Sequence, residues 1–112
     1  MRMEPTEAID IFRGWASDFA LVRYQGTFPN LAFSGWGRVV SAKIDELRII
    51  ADDRETELVL RLTPRVEFGY VDSRRVTGDE KKFKESVALF FGPIPNEGEP
   101  DMIVLAALEN TS

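Results

Sequence analysis

The spacing of apolar residues changes once along this chain, near Ala20, from a helical period to a period of two. Upstream, Ile9, Phe12, Ala16 and Phe19 recur at helical spacing, with Ala8, Ile11 and Trp15 on the same side. Glu7, Asp10, Arg13, Ser17 and Asp18 take the opposite side. Pro5-Thr6-Glu7 reads as the helix start, with Thr6 as cap and Glu7 placing a negative charge in the first turn. The apolar arc spans roughly half the circumference, so this helix needs a substantial partner surface. Gly14 inside it costs about 1 kcal/mol of helix propensity, which implies close packing there.

Downstream of the switch, short alternating segments follow one another. Val22 and Tyr24 share one face of a strand over Leu21–Gln25, and Phe28-Pro29-Asn30 turns the chain. A longer strand over Leu31–Ala42 contains Gly35-Trp36-Gly37, which predicts a bulge or sharp bend. Leu47–Ala51 is a short strand, followed by a turn at Asp52-Asp53-Arg54. Glu57–Thr63 alternates cleanly, with Leu58, Leu60 and Leu62 on one face, and Pro64 closes it. Val66, Phe68 and Tyr70 line a further strand. Ser73–Lys84 is polar and charged, and reads as a mobile loop. Val87–Phe91 and Asp101–Leu108 form a last hairpin. Strands joined this way are mostly antiparallel neighbours.

The expectation is an α+β fold in a single domain, residues 1–112. It consists of an N-terminal amphipathic helix packed on a curled, mainly antiparallel, small barrel-like sheet of six or seven strands. Several strands are apolar on both faces: Ile49-Ile50, Leu58-Val59-Leu60, Phe90-Phe91 and Ile103-Val104-Leu105. One face fills the interior, and one helix cannot cover all of the other, so a homodimer is expected. Phe12, Trp15, Phe19, Phe90 and Phe91 are the expected core or interface anchors.

Composition narrows the chemistry. The chain has no histidine and no cysteine. That removes the commonest general base near neutrality, thiol chemistry and the usual transition-metal ligands. Ser17, Ser34, Ser41 and Ser86 therefore have no histidine to activate them. Without disulfides, stability rests on packing, which suits a reducing cytoplasm. The start, Met1-Arg2-Met3-Glu4-Pro5, turns acidic at once, against a secretory signal. The longest apolar run, Met102–Leu108, falls far short of the ~20 residues that span a bilayer. A cytoplasmic protein without membrane, cofactor or metal is expected.

The remaining polar clusters read blandly. Gly35-x-Gly37 lacks the third glycine and the strand–helix context of a dinucleotide site. Asp52, Asp53, Glu55 and Glu57 miss the spacing of a calcium loop, because Arg54 and Thr56 stand at needed ligand positions. Asn96, Glu97, Glu99 and Asp101 likewise read as a solvated turn. Either acidic cluster would need a cleft that raises one carboxyl pKa before it could do acid–base work. Arg74, Arg75, Lys81, Lys82 and Lys84 bracket Phe83, but Asp72, Asp79, Glu80 and Glu85 nearly cancel their charge. With a net charge of -5 this disfavours nucleic-acid contact.

The tryptophan-bearing helix, the strand Phe33-Ser34-Gly35-Trp36-Gly37-Arg38-Val39-Val40 and the segment Val66-Glu67-Phe68-Gly69-Tyr70 together resemble a group of short, uncharacterised bacterial proteins. That resemblance implies a fold and no activity. The order of helix, bent strand and short strands is also similar to Sm-like and SH3-like small barrels, as a fold analogy. The resulting expectation is a non-enzymatic binding module that takes a protein partner or small ligand. Nucleic-acid binding through an Sm-like barrel is the alternative, and it predicts that Arg23, Arg38, Arg48 and the basic loop cluster in space. A carboxylate- or divalent-metal-based enzyme is the third.

Overall fold

The computed structural model describes residues 2–28, 30–70, 83–91 and 101–108. Among the described residues one helix, α1 (Pro5–Ser17), accompanies eight strands: β1 (Arg2–Met3), β2 (Val22–Phe28), β3 (Leu31–Lys43), β4 (Glu46–Ala51), β5 (Glu57–Arg61), β6 (Glu67–Tyr70), β7 (Phe83–Phe90) and β8 (Met102–Leu108). All strands join one sheet in the order β1-β6-β7-β8-β2-β3-β4-β5, and every recorded pairing is antiparallel. The fold is α+β, as the period switch implies. There are eight strands rather than six or seven, because Arg2–Met3 adds a short strand against Phe68-Gly69. Nor is the sheet a closed barrel: among the described residues β1 and β5 are its two unpaired edges.

Helix α1 lies against one face and touches both β3 and β6. Those strands stand four places apart in the sheet, a flat span of about 19 Å at strand spacing. The helix is 13 residues and about 20 Å long, long enough to reach both. The core cluster accordingly unites both sheet edges, Met3 and Phe68 at one side and Leu60 and Leu62 at the other, around fully buried Phe12 and Trp15. Tilted rings meet at this centre: Phe12 stands 5.5 Å from Trp15 and 6.3 Å from Phe68, centroid to centroid. Full burial of such side chains makes this the main stabilising unit of the fold.

The helix ends differ from the expected ones. Glu4 is the N-cap and makes no side-chain cap bond, while Pro5 occupies the first turn, where its missing N–H costs nothing. Thr6 is therefore inside the helix rather than at its cap. At the other end the helix stops at Ser17, and Phe19 turns left-handed with φ 51°. Ala20 N–H then bonds to Trp15 C=O at 3.0 Å, and Phe19 N–H to Ala16 C=O at 3.4 Å. This is a Schellman closure with phenylalanine where glycine is usual. Phe19 is 78% exposed, so its helical spacing with Phe12 does not carry it into the core. Gly14 also departs from expectation: an added Cβ would meet nothing within 4 Å.

The pairing of β3 stays in register across Gly35 and Gly37. The register of β3 against β4 shifts between Val39 and Ser41 instead, leaving Val40 as the extra residue. Gly35 and Gly37 serve close approach: a Cβ on Gly35 would collide with the Tyr24 ring, and one on Gly37 with the Ile50 carbonyl oxygen. The closing hairpin is present as β7 against β8, longer than its apolar core suggested. Of the charged segment 73–84, only Phe83 and Lys84 are described, and both belong to β7. The second acidic turn lies outside the described residues except for Asp101. No helix among the described residues is long and apolar enough to cross a membrane.

Candidate functional site

Strand pairing assigns each side chain to the helix-facing or the outer face. Outward from β3, β4 and β5 point Arg38, Ile50 and Glu57 in one row, then Ser41, Arg48 and Val59 in the next. The bulge adds Val40 to this face. Three aliphatic side chains are consequently exposed there: Val40 at 50%, Ile50 at 37% and Val59 at 36%. The doubly apolar pattern of Ile49-Ile50 and Leu58-Val59-Leu60 has this meaning, with one residue of each pair in the core and the other on an open face.

Next to Val40 and Ile50 the surface dips into a groove of about 720 Å³, lined by Arg38, Val40, Ile50, Ala51, Asp52 and Arg54. Arg38 enters from β3, and its Nε donates to the Phe19 carbonyl at 3.3 Å. Arg54 enters from the β4–β5 turn with φ 62°. That turn is tightly held. Asp53 accepts from Thr56 N–H at 2.8 Å, Thr56 Oγ1 at 2.7 Å and Glu55 N–H at 2.9 Å. The bonds from Thr56, and then that from Glu55, hold the Asp53 carboxyl below the ordinary aspartate range. Asp52 N–H bonds to Trp36 C=O and Arg54 N–H to Ala51 C=O, both at 2.9 Å. Neither Arg38 nor Arg54 meets a carboxylate among the described residues.

The groove's neighbour on the same face is saturated. Arg48 binds Glu46 and Glu57, both at 3.0 Å, and Arg61 stands 3.8 Å from Glu46. The Arg48 hydrogen bond lowers the Glu46 carboxyl below its usual range. Asp52, Asp53, Glu55 and Glu57 therefore do not converge. Asp53 closes its own turn, Glu57 serves Arg48, and no group of three acids among the described residues is placed to hold a metal ion.

Arg23, Arg38 and Arg48 all lie on the outer face. Arg23 sits over the Trp36 ring at 5.4 Å, and Trp36 stacks on Phe83 at 6.1 Å. Arg48 is engaged by its two glutamates. The remaining basic residues, Arg74, Arg75, Lys81 and Lys82, lie outside the described segments, as do Asp72, Asp79 and Glu80. Of the expected anchors, Phe12 and Trp15 are core. Phe90 is half-buried beside Ala88 and Val104 on the outer face, and Phe91 packs against the core with its ring 6.3 Å from Phe28.

A second crevice, about 510 Å³, runs along α1 between Thr6, Glu7, Asp10, Gly14, Asp18, Lys84 and Glu85. Of its lining residues, Glu85 accepts from buried Trp15 Nε1 at 2.6 Å, and Lys84 reaches Asp18 at 3.4 Å. The Tyr70 hydroxyl donates to Glu7, and that bond raises the Tyr70 pKa above its usual value. This crevice is acidic and internally bonded.

Arg38 and Arg54 were not singled out together by sequence reasoning, which placed one on a strand and the other in a solvated turn. Ile50 was the available signal, an apolar residue beside the buried Ile49. Comparison with protein-family models, with curated proteins and with solved structures finds no match for this chain.

Proposed function

We propose that this chain is a non-enzymatic binding module that presents the outer face of β3 and β4 to a short acidic, apolar segment of a protein partner. The supporting observation is the pair of guanidinium groups, Arg38 and Arg54, flanking exposed Val40 and Ile50 in one groove. An aliphatic side chain would lie on that floor while a carboxylate bridges the arginines in the fork geometry they favour. The rigid β4–β5 turn fixes Arg54 before binding, which reduces the ordering cost. The lack of histidine and cysteine supports a non-enzymatic role.

A short segment feels the local arginines, because screening limits reach to about 8 Å at physiological salt. A long polyanion would meet the -5 field of the whole chain. The doubly apolar strands also support self-association, and the composition suits a cytoplasmic setting.

The test is fluorescence anisotropy with a labelled peptide alternating aspartate and leucine, a labelled oligonucleotide and a fluorescent fatty acid. The peptide should bind, and Arg38→Glu or Arg54→Glu should weaken it about tenfold or more. Salt-dependent retention of the oligonucleotide alone would favour the Sm-like alternative. Preference for the fatty acid would make the groove a small-ligand site. Equal peptide binding by wild type and both variants would overturn the assignment.

A further inference from the structure

The free edge of β5 carries a self-complementary pattern. Strand β5 reads Glu57-Leu58-Val59-Leu60-Arg61. Thr56 C=O accepts from Ala51 N–H at 2.9 Å, and Leu62 N–H donates to Asp45 C=O at 2.8 Å. These two bonds fix the phase of the ladder between β4 and β5. Antiparallel ladders alternate, so Leu58 and Leu60 direct their backbone groups to β4. Glu57, Val59 and Arg61 therefore turn N–H and C=O away from the sheet, towards an edge that no described residue occupies. The strand holds no proline and no bulge, two of the usual protections of such an edge. The opposite edge, β1, is two residues long and runs into Pro5.

We propose that a second copy of this chain pairs with β5 antiparallel about a two-fold axis through Val59. In that register Val59 faces Val59 of the second copy, and Glu57 faces Arg61 in both directions. Leu58 faces Leu60 on the helix side. Every backbone group that β5 leaves free finds a partner, because the residues meeting across the axis are the ones whose N–H and C=O point outward.

The charges select this register. Opposite signs meet at both ends of the pair within β5, whereas sliding by two residues sets Glu57 or Arg61 against Val59, and the one opposite-sign contact this can regain, Arg61 with Glu55, falls in the turn outside the strand. Both side chains keep exposed surface for this, Glu57 at 43% and Arg61 at 78%, and the Glu57 carboxylate would be shared between Arg48 and the Arg61 of the second copy. Val59 would join across the axis with its copy, extending the exposed aliphatic face of Val40 and Ile50. The pairing does not use Arg38 or Arg54, so it stands or falls independently of the groove. Pairing between two isologous edges closes on itself and does not grow into a fibre.

Sedimentation equilibrium of the full chain over micromolar concentrations should show a monomer–dimer equilibrium. Val59→Pro removes an N–H that points outward and is tolerated at an edge, so it should leave the circular-dichroism spectrum unchanged and abolish the dimer. Glu57→Arg and Arg61→Glu should each raise the dimer dissociation constant about tenfold or more, and the double swap should restore it. A monomer at all concentrations overturns the proposal. So does a folded Val59→Pro dimer. Should Val59→Pro not fold, the charge swaps decide: a double variant no tighter than the single ones rejects this register.

Discussion

The indole Nε1 of Trp15 donates to Glu85 Oε1 at 2.6 Å, joining the last turn of α1 to β7 across 70 residues of chain. Trp15 is fully buried, and Glu85 points to the helix side in register with Ala107. The bond lets a polar ring edge sit in an apolar core, and it fixes how the helix is rotated against the sheet.

Removing this ring should be the costliest single change in the molecule. Trp15→Ala is expected to lose about 3–5 kcal/mol in urea unfolding. Trp15→Phe keeps much of the apolar volume but strands the Glu85 carboxylate, with an expected loss of about 1–3 kcal/mol. A Trp15→Phe loss as large as that of Trp15→Ala would show that the hydrogen bond, not the packed ring, dominates.

Phe19 should behave in the opposite way. Its ring is exposed and its backbone is left-handed, so Phe19→Ala should change stability by no more than about 0.5 kcal/mol. Phe19→Gly should gain about 1 kcal/mol, because glycine adopts that conformation without strain. Thermal unfolding of the two variants separates the cases. A large loss in either would place the ring in a contact such as a subunit interface.

The glycines give a paired contrast. Gly14 faces open space on the helix, so Gly14→Ala should stabilise by about 0.5–1 kcal/mol through propensity. Gly37→Ala pushes a methyl group into the Ile50 carbonyl and should cost about 1–3 kcal/mol. Equal effects of the two substitutions in chemical denaturation would contradict the described packing of β3 on β4.

Acid should loosen the β4–β5 turn. The Asp53 carboxyl is held below 3.8 by the bonds it accepts from Thr56 and Glu55. A carboxyl depressed in the folded state adds stability above its unfolded pKa and loses it as pH falls through the folded value. Carbon-detected NMR titration should therefore place the Asp53 midpoint below 3.8, with the Thr56 amide shifting in step. A midpoint at or above that value would show the turn to be open in solution. Asp53→Asn should flatten the acid limb of the stability profile between that midpoint and pH about 4.

Much of this fold is written in local pattern. The helix shows in the spacing of Ile9, Phe12 and Trp15, and β2 to β5 show in alternation closed by turns. Two features are not local. The sheet places β6 beside β1 and β8 beside β2, and these pairings arise only when the chain wraps around Trp15 and Phe12. The end of the helix at Ser17 is also hidden, because no glycine marks the left-handed residue. For the groove, the doubly apolar strands signalled an unfilled outer face. The meeting of Arg38 with Arg54 needs the bulge at Val40 and the turn closed by Asp53, and neither has a distinctive sequence.

The most direct test of the binding role is a map of amide chemical shifts in the full chain as the aspartate–leucine peptide is added. Perturbations concentrated at Arg38, Val40, Ile50, Asp52 and Arg54 are the expected result. Perturbations confined to Glu7, Asp10 and Glu85 along the helix, or none at saturating peptide, would contradict it.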